Sequence, residues 1–303
     1  MTTSRETSLS LTARIGRIIA EENPVIPCSD TLLRRAMRDY SRQDLRQMQQ
    51  IGLIPQDFET YYVVREFLHR TGIDQEAGGD YLLALFSAAR RQDAQAFASD
   101  PYLSLVSCPT VRQGDILLTT ASYEKGELFL YDMPDLSAGL VVPRLGYFDR
   151  KVTFPAVYQG SMPWMSVCPS EINSTRASIA AAHGRVLVLG LGLGYYPFMI
   201  SLREEVTSVT VVELQQPIID LFLTHLFPRF PHRDKIQVVK ADALAYLQKV
   251  KDGMFDCCFA DIWESVTDGA VPYVRIREQE KRLPSTRFDY WIGEQIQAFL
   301  RES

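Results

Sequence analysis

The chain has 303 residues, a formal net charge of −5 at pH 7, 46% hydrophobic residues and 23% charged residues. That length and composition fit two globular domains and exclude wholesale disorder, and the acidic balance argues against nucleic acid as a partner, which demands a concentrated basic face. Five cysteines without a CxxC pair suit a reducing compartment, and no apolar run approaches the roughly eighteen residues that span a membrane, so a cytoplasmic protein with no membrane partner is expected.

Residues 1–100 carry a helical pattern. The start Met1-Thr2-Thr3-Ser4-Arg5 leads into no long apolar core, and Leu11, Ile15, Ile18 and Ile19 then fall near one face of a helix that ends at Glu21-Glu22-Asn23-Pro24. A second helix is predicted from the cap Ser29-Asp30 through Leu32, Leu33 and Met37, and a third from Ser41 through Leu45 and Met48 to Gly52. A fourth spans about Gln56 to His69 and is closed by Thr71-Gly72. After Gly78-Gly79-Asp80, the residues Tyr81, Leu82, Leu85 and Phe86 seed another, with Arg90-Arg91 at its cation-favouring end. The row Arg34, Arg35, Arg38, Arg42 and Arg46 is interleaved with Asp39 and Asp44 and reads as a solvated face. Tyr61 and Tyr62 read as core. His69, His183, His225 and His232 are too scattered to make a zinc site.

From Gly114 the period shortens to two. Asp115–Thr120 and Glu127–Tyr131 flank Ser122-Tyr123-Glu124-Lys125-Gly126 and predict a hairpin; Leu140–Pro143 and Lys151–Tyr158 add short strands. The segment Gly160–Asn173 leads into a helix running to about Ala182. Glu171 in that segment is a candidate general base or substrate-orienting group, with an ordinary first-turn acid as its structural reading.

The most informative stretch follows. Val186-Leu187-Val188-Leu189 leads into Gly190-Leu191-Gly192-Leu193-Gly194 and a helix beginning near Tyr195. A buried parallel strand entering a glycine turn ahead of a helix is a nucleotide-type arrangement, in which a Cβ would forbid the backbone angles and hold a ligand off the backbone. Three more strands end on acids: Val209–Val212 on Glu213, Ile236–Val239 just before Asp242-Ala243, and Phe255–Ala260 on Asp261-Ile262-Trp263. Open α/β sheets bind ligands at this carboxyl edge, and a carboxylate about twenty residues past the turn can accept both hydroxyls of a ribose. Taken singly, each acid also reads as a helix cap.

This series resembles the motif ladder of class I S-adenosylmethionine-dependent methyltransferases over roughly the last 130 residues. The resemblance implies that Gly190, Leu191, Gly192, Gly194 and Tyr195 lie under the methionine end of S-adenosylmethionine, and that Glu213 with Leu214 meets the ribose. It implies that Asp242 and Ala243 frame the adenine, and that Asp261 and Ile262 stand at the mouth of the active site. Asp261 and Glu171 are then the catalytic candidates. The expected fold is α/β: a Rossmann-like class I methyltransferase sheet over 166–303, preceded by an all-helical N-terminal domain over 1–110 and a small β subdomain over 111–165. The expected partner is a small-molecule or protein acceptor, and a homodimer is compatible with the reading. Asp261-Ile262-Trp263-Glu264 lacks the Pro-Pro-aromatic element that resembling enzymes use on DNA adenine or glutamine nitrogens.

A β-rich segment ahead of such a sheet is similar in order to spermidine synthases, although no run resembles their double-aspartate motif. Aminopropyl or aminocarboxypropyl transfer stays open beside methyl transfer, as do nicotinamide chemistry, whose glycine spacing Tyr195 interrupts, and nucleoside binding without catalysis. Past Trp263 the sequence predicts a final amphipathic helix from about Arg287 to Arg301. It leaves no clear room for the antiparallel hairpin that completes a standard sheet of this class, so either a trimmed sheet is expected or the early β subdomain covers the exposed edge.

Overall fold

The protein is described by a computed structural model over residues 3–27, 58–136 and 139–302, together with residues 43, 46, 47 and 50. Apart from those four positions, the helices expected over 29–52, with Arg34, Arg35, Arg38 and Arg42, lie outside the described residues. No helix among the described residues is long and apolar enough to cross a membrane.

The chain forms an α/β structure of two compact units, residues 1–98 with 122–153, and residues 99–121 with 154–303. The boundaries expected at 110 and 165 do not coincide with these units, because the N-terminal helices are not self-sufficient. Helices Arg5–Glu22, Phe58–Thr71 and Gly79–Ala88 share one core with strands Phe129–Asp135 and Val142–Phe148, in which Ile15, Val63, Phe67, Tyr81, Leu85, Leu145 and Tyr147 are all buried. Each apolar helix stripe needs a partner surface, and burying a Leu, Ile or Phe there is worth about 1.5–3 kcal/mol. Arg90 ends the third helix by donating from Nη1 to the Ala89 carbonyl at 2.7 Å. Arg90–Gln92 then continues as a short strand parallel to Val142–Phe148.

The hairpin expected between Asp115–Thr120 and Glu127–Tyr131 is not formed. Val111–Gln113 and Ile116–Tyr123 pair instead, with Gln113 opposite Ile116 across Gly114-Asp115, and Gly114 has a φ of 64°. A glycine at positive φ in a two-residue loop is the tighter hairpin former. The second strand of the expected pair, Phe129–Asp135, joins Val142–Phe148 in a separate sheet.

The second unit is organised on a five-stranded sheet. In chain order its elements are α1 (Pro169–Ala181), β1 (Gly184–Leu189), α2 (Tyr195–Ser201), β2 (Val206–Glu213), α3 (Gln216–Leu221), β3 (Ile236–Lys240), α4 (Ala243–Leu247), β4 (Cys257–Ala260), α5 (Val266–Glu280), β5 (Arg287–Tyr290) and α6 (Gly293–Glu302). All four strand pairings are parallel and the order is β3-β2-β1-β4-β5. Val186 to Leu189 and Cys257 to Ala260 are fully buried, as central parallel strands require.

The winding reverses between β1 and β4, where strand order jumps, and the carboxyl ends of those two strands open a crevice. The final helix expected from Arg287 begins only at Gly293. Arg287-Phe288-Asp289-Tyr290 alternates polar and aromatic residues and takes the free edge of β4, where Arg287 N–H donates to the Asp256 carbonyl at 3.0 Å. Among the described residues the sheet ends at β5, without an antiparallel hairpin beyond it.

Candidate functional site

The turn after β1 has all three glycines at positive φ: 98° at Gly190, 54° at Gly192 and 78° at Gly194. Each is glycine for a different reason. A Cβ on Gly190 would lie 1.9 Å from the Asp261 carbonyl oxygen, and one on Gly194 would lie 2.3 Å from the Phe222 ring. These two let strand β4 and the π-helical turn Phe222–Leu226 approach the backbone. At Gly192 the nearest atom to a Cβ is Met165 Sδ at 3.8 Å, so the glycine there leaves a hollow over the turn.

Glu213, the last residue of β2, is fastened to this turn. Its Oε2 accepts the Leu191 N–H at 3.1 Å and its Oε1 accepts the Gln215 N–H at 2.7 Å. Each carboxylate oxygen has a second lone pair, so two acceptor directions stay available for hydroxyl donors. The adjoining Leu214 is 60% exposed, an apolar side chain displayed beside an acid at the sheet edge. Asp242 is exposed and caps α4, its Oδ1 accepting the Ala245 N–H at 2.7 Å, while Ala243 is buried. The cap and ligand readings of Asp242 are compatible, because Oδ2 is not used by the cap.

Asp261 follows β4 directly and is joined to β1 through its N–H, which donates to the Leu189 carbonyl at 2.8 Å. Ile262 is half-buried, its Cγ2 3.4 Å from where a Cβ of Gly190 would stand. Glu171 lies in the first turn of α1. Among the described residues, neither the Glu171 nor the Asp261 carboxylate accepts a hydrogen bond or pairs with a cation. Burial pushes both well above the usual carboxylate range, and at Glu171 the nearby Asp261 charge adds to that effect. Both residues are partly buried. The helix carrying Glu171 is held by Trp291, whose Nε1–H donates to Ser174 Oγ at 3.0 Å, while the Trp291 carbonyl accepts from Trp263 Nε1–H at 3.2 Å.

The sheet edge therefore gathers the predicted turn residues with Glu213, Asp261 and Ile262. Asp242 and Ala243 stand at the end of β3, on the far side of β2. Two residues that sequence reasoning missed join the turn from 95 and 91 positions upstream, Asp100 and Tyr102; they bind Tyr195 and Leu193 respectively. Only the Asp100-Pro101 cap signal is visible in the sequence, and it says nothing of the contact.

No protein-family model and no curated protein matches the chain. Among solved structures the chain is similar to a precorrin 8w decarboxylase from Methanobacterium thermoautotrophicum, at 17% identity over 44% of this chain and 70% of that one, with a TM-score of 0.33. It is also similar to a conserved hypothetical protein of Streptococcus pyogenes, at 17% identity over 33% of this chain and 60% of that one, with a TM-score of 0.27. Likenesses this shallow carry neither fold nor function, which rest on the geometry above.

Proposed function

We propose that this protein is an S-adenosylmethionine-dependent methyltransferase on a Rossmann-like sheet, acting on a small-molecule or protein acceptor. The observation that carries the reading is the attachment of Glu213 to a three-glycine turn at the point where the strand order reverses. A nucleoside fits the residues present. The hollow over Gly192 admits a chain that a Cβ would displace, and Glu213 retains acceptor capacity for ribose hydroxyls. Leu214 offers an apolar face to a base, and Asp242 offers an acceptor to an exocyclic amine.

The cofactor supplies an electrophilic methyl group on a sulfonium, open to in-line displacement. The chain supplies alignment and charge. Asp261 and Glu171, carboxylates without a partner among the described residues, favour a cationic neighbour and orient an amine or hydroxyl acceptor. With their affinity for protons raised by burial, either accepts the proton that the acceptor gives up. Trp263 and Trp291 tie the segment after β4 to the helix carrying Glu171 through their mutual bond and the one to Ser174.

Incubation with S-adenosylmethionine and a panel of amine and hydroxyl acceptors, read by mass spectrometry, tests the reaction type. S-adenosylhomocysteine with a methylated acceptor is the expected result. Methylthioadenosine in its place assigns aminocarboxypropyl transfer, and binding without any product assigns a nucleoside-binding protein.

A further inference from the structure

The glycine turn is held by a stretch of chain that the parallel sheet does not supply. Asp100 starts the short helix Pro101–Leu105, its Oδ1 accepting the Tyr102 N–H at 2.9 Å, and its Oδ2 accepts the Tyr195 hydroxyl at 3.0 Å. Buried Tyr102 donates its hydroxyl to the Leu193 carbonyl at 2.6 Å. One helical turn thus grips the last part of the glycine turn and the first residue of α2. The Tyr102 ring is set by near-perpendicular contacts with Phe198 and Phe230, at centroid distances of 5.2 and 6.2 Å. Burial raises both phenols above the ordinary tyrosine value, so both remain donors.

The consequence lies in the peptide plane between Leu193 and Gly194. Its carbonyl and its N–H are rigidly opposed. Fixing the Leu193 oxygen on Tyr102 therefore fixes the Gly194 N–H, which donates to the Leu191 carbonyl at 2.9 Å and closes the turn. Alternating glycines left to themselves sample many backbone angles, and ordering them at binding would cost affinity.

We propose that Asp100 and Tyr102 are positioning residues that pre-order the glycine turn for the part of the ligand lying over it. The inference rests on the nucleoside-binding reading above. The test compares Tyr102→Phe and Tyr195→Phe with the wild type, by calorimetry with S-adenosylhomocysteine and with adenosine, and by amide hydrogen exchange over residues 190–195. In both variants affinity for S-adenosylhomocysteine falls by about tenfold, affinity for adenosine holds, and exchange in the turn quickens. Val250→Ala, which opens a buried site on a different element, lowers thermal stability and leaves both affinities alone.

Equal losses for the two ligands, or no loss with unchanged exchange, overturn the positioning role. A wild type that binds S-adenosylhomocysteine while the variants bind it equally well overturns this inference alone. A wild type that binds neither ligand overturns the nucleoside reading and this inference with it.

Discussion

The Leu191 N–H points at Glu213 Oε2, 3.1 Å away, so the second strand's terminal carboxylate is part of the first strand's turn. Glu213 therefore shapes the turn as well as facing it. Removing the side chain in Glu213→Ala leaves the Leu191 and Gln215 amides without their acceptor, at a cost of about 1.5–3 kcal/mol. We expect the variant to fold with a lowered melting temperature. A melting temperature equal to that of the wild type would show that the bonds to Glu213 add nothing to the fold.

The three glycines separate fold from ligand. Gly190→Ala and Gly194→Ala drive a methyl into the Asp261 carbonyl and the Phe222 ring, and we expect little soluble protein from either. Gly192→Ala makes only an ordinary contact with Met165 Sδ at 3.8 Å and bears the strain of its φ of 54°, about 1–2 kcal/mol. That variant should fold and lose nucleoside affinity. Retained affinity in folded Gly192→Ala would place the ligand elsewhere.

The Glu171 and Asp261 pair makes stability fall with rising pH. Burial, and at Glu171 also the Asp261 charge, raise both values in the folded protein, so the folded form keeps protons that the unfolded chain has released. The pair's stabilising contribution is whole below the ordinary carboxylate value of about 4 and is lost as pH rises through the raised folded values. Glu171→Gln removes the mutual repulsion. Its melting temperature relative to the wild type should climb from pH 4 into the alkaline range, and a difference independent of pH would refute the coupling.

At the opposite sheet edge the sign is reversed. Arg185 binds Asp256 through Nε and Nη2 at 3.0 and 3.1 Å, and its backbone N–H donates to the same carboxylate at 2.7 Å. These bonds hold the Asp256 carboxyl down to about 2. Its contribution is present above the ordinary value of about 4 and is lost as pH falls towards 2. Solvent screens the pair, so Asp256→Asn should cost about 1 kcal/mol or less at neutral pH. The gap between variant and wild type should close under acid, and urea melts at pH 7 and pH 3 measure it.

Much of the candidate site was legible because it is local. A turn that needs positive φ must spell itself in glycine, and strands buried on both faces must spell themselves in Val, Leu and Ile; Gly190–Gly194 and Val186–Leu189 do both. Acids at strand ends were readable for the same reason. What depends on distant partners was not readable. Tyr102 is an unremarkable aromatic until the fold sets it against Leu193.

Arg287–Tyr290 looks like the start of a helix until the free edge of β4 captures it. Gly126 does turn the chain, at a φ of 75°, but the strands on either side of it pair elsewhere: Ile116–Tyr123 folds back on Val111–Gln113 across Gly114-Asp115, and Phe129–Asp135 pairs with Val142–Phe148. The N-terminal helices read as a domain of their own, since a sequence shows an apolar stripe without showing what covers it; Leu145 and Tyr147 cover it here.

The central claim is that the carboxyl edge of the parallel sheet binds the nucleoside of S-adenosylmethionine through Glu213. Calorimetry with S-adenosylhomocysteine on the wild type and on folded Glu213→Ala measures it most directly. The account predicts micromolar binding by the wild type, weakened at least tenfold in the variant. Absence of binding by the wild type, or equal binding by the two proteins, would contradict it.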